Sequence, residues 1–108
     1  MPTEQARSPK FRTTTGAIAK GSTSAAIDVR VDNHAVTWVR VTPSQAPDSG
    51  SVHSFAINVE GSAATDITGT SGVSVSVTNQ NLRGPYTIRQ IFITSGADGT
   101  TFDVEGLL

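Results

Sequence analysis

Apolar and polar residues alternate with a period of two through most of this chain, the pattern of a strand with one face buried and the other wet. The clearest case is residues 26–32, where Ile27, Val29 and Val31 alternate with Asp28, Arg30 and Asp32. Asn33 and His34 suit a two-residue turn into a second strand over 35–42. With the turn there, Val31 faces Val36 and Val29 faces Trp38, so Trp38 is expected in the core. Val39 and Val41 occupy the other face of the second strand, which predicts a central position for it.

Residues 43–51 hold two prolines and a glycine and read as the longest loop of the body. Alternation resumes over 52–60, with Phe55, Ile57 and Val59 on one face. Residues 61–72 are small and polar, with a short edge strand expected around Asp66, Ile67 and Thr68, and residues 73–78 alternate again. After a turn at 80–85 comes the most apolar strand, 86–94, with Ile91 and Ile93 on one face and Ile88 and Phe92 on the other. Residues 95–99 are predicted to close a hairpin onto 100–105, placing Phe102 and Val104 on the face of Ile91 and Ile93. With 14–19 as a first strand, the count is seven to eight short strands. That spacing predicts an all-β fold, an antiparallel β-sandwich of Ig-like or jelly-roll type, with a small barrel as the alternative.

Composition agrees with this reading. Of 108 residues, 16% are charged and 36% hydrophobic; Ser and Thr are abundant, while the Leu, Lys and Glu that long helices use are scarce. Charge changes the picture more, because it is unevenly placed. Residues 1–20 carry Arg7, Lys10, Arg12 and Lys20 against Glu4, a balance of +3, whereas residues 21–108 carry four basic and eight acidic side chains, a balance of −4. Residues 1–14 therefore read as an extended, basic N-terminal arm and residues 15–108 as the β-sandwich domain. The arm has Phe11 as its only large aromatic or branched apolar side chain and is too polar to fold alone, while Pro2 and Pro9 favour extended conformations. Such an arm suits binding across a neighbour, with Phe11 as apolar anchor and Arg7, Lys10 and Arg12 meeting acids. The plainer alternative is a tail that packs only on its own domain.

Reactive chemistry is sparse. There is no cysteine, so no disulfide framework or thiolate metal site exists. His34 and His53 are the only histidines, and their ordinary reading is a turn residue and a strand residue. The acids show no calcium-loop spacing, and no glycine cluster opens a helix to cradle phosphate. No catalytic residue, metal site or cofactor is expected, and the chain is read as a non-enzyme. Nucleic acid is not expected as a partner, since the aromatics fall on strands without basic clustering. Residues 1–20 lack the apolar core of a signal peptide and no run approaches the length of a membrane span. The expectation is a chain made and kept in a cytoplasm, with Met1-Pro2 as its natural start. Unprotected Ser/Thr/Val strands such as 73–78 would leave edges open to pairing with another chain.

A small, cysteine-free, Ser/Thr/Gly/Val-rich β domain with a polar N-terminal arm resembles the small virion proteins of tailed bacteriophages, especially capsid decoration or cement proteins. The resemblance rests on the style of the whole chain and carries no diagnostic motif, so it assigns no residue. It implies a protein of the virion that binds between subunits of the major capsid protein, commonly as a homo-oligomer such as a trimer. Two other readings stand beside it. One is a carbohydrate-binding, adhesin or fibre module using Trp38 or Tyr86 and the 43–51 loop; the other is a tail or head–tail connector subunit.

Overall fold

The computed structural model describes residues 11–67, 75–78 and 88–108, and among these it contains eight strands and no helix. The strands are β1 (Phe11–Thr14), β2 (Ile27–Asp28), β3 (Trp38–Pro43), β4 (His53–Ile57), β5 (Ala64–Ile67), β6 (Val75–Thr78), β7 (Gln90–Thr94) and β8 (Phe102–Leu107). They form two antiparallel four-stranded sheets, ordered β1-β8-β3-β6 and β2-β7-β4-β5. The fold is therefore all-β, two sheets enclosing one core, consistent with a β-sandwich.

The pairing has a simple logic. Phe11 lies opposite Gly106, Ile27 opposite Ile91, Trp38 opposite Thr78 and His53 opposite Ile67. As one partner advances along the chain the other retreats by nearly equal steps, so β1·β8, β2·β7, β3·β6 and β4·β5 are successive rungs of one long hairpin. That ribbon is rolled up. The roll is held by two additional pairings, β3 with β8 and β4 with β7. Only β4 and β5 are neighbours both in sequence and in a sheet; each other described change of strand passes between the sheets.

Between the sheets, Val39, Val41, Phe102 and Val104 from the first meet Phe55, Ile67, Ile91 and Ile93 from the second, joined by Val29, Val36 and Ile88. All are essentially inaccessible to solvent. Burying each large apolar side chain contributes about 1.5–3 kcal/mol, and the strictly alternating exposure along β8 shows the period of two at work.

Several expectations from alternation need correction. The strand expected over 26–32 is reduced to Ile27–Asp28, because the chain must leave the second sheet to enter the first. The turn falls on Asp32 and Asn33, with φ of 52° and 66°, and not on Asn33 and His34. Val31 and His34 exchange both backbone hydrogen bonds across it, at 2.9 and 2.8 Å, the geometry of a type I′ turn, which Asp and Asn tolerate.

The phase of alternation then slips. Val36 is buried against Ile88, but a bend at Thr37 makes Val39 and Val41 the next buried residues, so Trp38 stands half-buried on the outer face. β3 is central, as expected. The predicted hairpin of 86–94 with 100–105 does not form: β7 and β8 belong to different sheets, although Ile91, Ile93, Phe102 and Val104 do face one core. Val59 is 62% exposed, since Asn58 turns the chain out of β4 with φ 66°. Finally, the first strand among the described residues is Phe11–Thr14 and not 14–19. The last four residues of the segment read as an arm thus enter the sheet as an edge strand.

Candidate interaction surfaces

The predicted partner-binding residues divide at β1. Arg7 and Lys10 lie outside the described residues. Phe11 is half-buried and packs against the protein's own core, as its inward position in β1 dictates. Arg12 points outward and reaches Asp103 at 3.9 Å and Glu105 at 3.8 Å on β8. Those distances are long and the Arg12 side chain is 67% exposed, so the pairs are worth little and leave the guanidinium able to exchange partners.

These contacts belong to a rung that runs across the first sheet. Arg12, Glu105 and Arg40 are in register on β1, β8 and β3, and Arg40 approaches Glu105 at 3.4 Å. Glu105 sits between two cations with its side chain only 16% exposed. One rung away, Trp38 lies opposite Leu107, and the Arg40 guanidinium stands 5.0 Å from the Trp38 ring centre, a cation–π contact worth about 0.5–1 kcal/mol at an exposed site. The next rung pairs Asp103 with Thr14, whose hydroxyl donates to the carboxylate at 2.7 Å. This outer face combines a half-exposed Trp with two arginines, residue types enriched in protein interfaces.

Along the edge of the roll at β1 a second feature emerges that no sequence motif announced. Edge strands β1 and β2 face each other across an open groove of about 520 Å³, lined by Thr13, Thr15, Gly16, Ala17, Ala25 and Ala26 beside Phe11, Ile18 and Ile27. At its rim Arg30 clamps Asp28 through Nε at 3.0 Å and Nη2 at 2.7 Å. This side-chain bonding, together with the Arg30 backbone amide, lowers the Asp28 pKa to about 2.

The histidines show no joint chemistry. His34 is exposed in the turn. His53 is fully buried; its Nδ1 accepts from the Gly96 amide at 2.9 Å, so the ring hydrogen sits on Nε2 and is donated to the Gln45 carbonyl at 2.9 Å. It serves as a tie between two loops. Among the described residues no group of three His, Cys, Asp or Glu side chains is placed to hold a metal ion. Tyr86, a candidate for stacking on a sugar, lies outside the described residues. No family model, curated protein or solved structure matches this chain.

Proposed function

We propose that this protein is a non-enzymatic structural component of a virion, a capsid decoration or cement protein. In this reading it stabilises a shell by binding between subunits through its N-terminal segment and an exposed β edge. The observation that carries the reading is the rolled ribbon of eight strands entered through a basic N-terminal segment. Its four-and-four strand order favours the jelly-roll type over the Ig-like type. An Ig sandwich places sequence-adjacent strands A and B, and F and G, side by side, whereas here only β4 and β5 are so placed. Eight-stranded jelly rolls serve in virus capsids and in lectins.

The test is co-sedimentation with shells assembled from candidate major capsid proteins, comparing the whole chain with a chain lacking residues 1–10. Cutting at residue 10 keeps β1 and its pairing with β8 intact. Capsid occupancy should fall on truncation, and unchanged occupancy would remove the N-terminal segment from the mechanism. A second reading, carbohydrate binding, is favoured by one observation, the half-exposed ring of Trp38 on the outer face of the first sheet. Glycan quenching of its fluorescence would support that reading; emission indifferent to every glycan would remove it.

A further inference from the structure

The groove between β1 and β2 has the features of a site for a polypeptide strand. Both of its walls are sheet edges. The amides of Gly16, Ala17 and Ala25 donate to no carbonyl among the described residues, and all three residues are exposed. They lie just beyond β1 and just before β2, in a connection that stays bridged to the sheets at Ile18 and Thr23, and exposed undonated amides continuing a sheet edge are what an added strand pairs with. Beside Phe11, Ile18, Ile27 and Asp28, the remaining lining side chains are those of Thr, Ser, Ala and Gly, small enough to let a backbone approach closely. The lined stretches, 13–18 and 24–28, accommodate about five extended residues at roughly 3.3 Å each.

From these features, and resting on the assembly reading above, we infer that the groove receives the segment Thr3–Ser8 of a second copy of this chain. The sequence sets that window, because Pro2 and Pro9 bound it and neither can donate to a ladder. Within it Glu4, Ala6 and Ser8 share one face and Thr3, Gln5 and Arg7 the other. The face carrying Ala6 and Ser8 is small over its last positions, with Glu4 at its start, and fits the groove there, leaving Arg7 outward.

Occupation of a copy's own groove is disfavoured for a definite reason. To lie beside its own β1, the segment would reverse direction at Pro9 and Lys10, directly before Phe11. Tight hairpin turns require positive φ at their first central residue, and proline holds φ near −65°. An adjacent copy imposes no such turn. Ten extended residues span about 33–36 Å, more than the two shorter dimensions of the molecule, 28 and 22 Å.

The test uses the absence of cysteine from the chain. Full-length Ala6→Cys and Ala26→Cys variants are mixed and treated with a flexible bis-maleimide, beside a control mixture of Ala6→Cys with Ala64→Cys on the distant edge strand β5. The expected result is a cross-linked heterodimer from the first mixture, several-fold more abundant than from the control, and suppressed by an excess of a synthetic Thr3–Ser8 peptide. Equal yields from both mixtures, no cross-link, or a cross-link formed only within single chains of the Ala6→Cys/Ala26→Cys double variant would overturn it. Shell co-sedimentation reads separately. Truncation that abolishes shell binding, without any cross-link between copies, would leave the assembly reading standing and this inference refuted.

Discussion

The loops 44–52 and 95–101 close one region of the molecule, whereas β1 and β2 leave another open, and the two regions treat backbone polarity in opposite ways. In the closed region Ser95, Gly96, Ala97 and Thr100 are buried, although they belong to a loop. Their polar groups are matched one by one. Ser95 Oγ donates to the Ala97 carbonyl at 2.6 Å, Thr100 Oγ1 donates to the same oxygen at 2.8 Å, and Gly96 donates to His53. The Gly96 carbonyl accepts from Asp48 at 2.9 Å, and Gln45 Nε2 donates to the Asp98 carbonyl at 2.7 Å. A buried loop persists only under such complete matching, since each orphaned group costs about 1–3 kcal/mol. The open region, apart from Phe11, Ile18 and Ile27 that pack on the core, has small side chains and solvent-facing amides, so little stability depends on which residue stands at Gly16, Ala17, Ala25 or Ala26. Stability is concentrated in the first region, and freedom to bind is left in the second.

The sharpest way to break this comparison is Phe102→Ala. Phe102 is fully buried, and its ring meets His53 edge-on at 5.1 Å and 87°. The expected loss is about 3–5 kcal/mol in denaturant unfolding; a loss under 1 kcal/mol would mean the closed region is not tightly packed. Gly96→Ala comes next. A Cβ there would lie 2.5 Å from the Val52 carbonyl oxygen and 3.0 Å from Pro47 Cβ, and a backbone atom cannot swing aside as a side-chain tip would. Overpacking of this kind costs about 1–3 kcal/mol, visible as a lower Tm.

On the open side, Ala17→Thr at an exposed groove position should change stability by no more than about 0.5 kcal/mol, while reducing the cross-link between Ala6→Cys and Ala26→Cys chains when it is added to the Ala26→Cys chain. A thermal shift as large as that of Gly96→Ala would erase the distinction between the regions. The smallest effect concerns Asp28 at the groove rim. Its folded pKa, about 2, is below the ordinary 3.8, so its ion pair with Arg30 favours the folded state above pH 3.8, and this contribution is lost as pH falls through 2. Because the pair is exposed the change in stability is small, and the direct check is the NMR titration of the Asp28 carboxyl carbon. A midpoint near 3.8 would show that Arg30 does not hold it.

Period-two alternation was enough to locate β3, β4, β7 and β8 and to set Ile91, Ile93, Phe102 and Val104 on one face, because a half-buried strand writes its exposure into every second residue. A short edge strand was expected around Asp66, Ile67 and Thr68, and β5 covers Ala64–Ile67, with Thr68 outside the described residues. The place of Trp38 was not legible, because the bend at Thr37 inserts a phase change that hydrophobicity alone does not mark, and one residue of slip exchanges the two faces of a strand. The interaction surfaces were only half visible. Charge imbalance marked the N-terminal segment, but nothing in the order of residues revealed that Phe11–Thr14 is part of the sheet. The same was true of the way Gly16, Ala17, Ala25 and Ala26 come together in one groove.

The difference lies in the range of the forces. Alternation and turn residues act locally, and from them alone follow an all-β chain and the places of most of its longer strands. Which strands pair is a long-range choice. Ile91 and Phe102 would contribute the same burial to a hairpin or to opposite sheets, and only the closing of the whole ribbon, with β8 between β1 and β3 and β7 between β2 and β4, selects between them. That closure separates β7 from β8, turns Trp38 outward and opens the groove between β1 and β2.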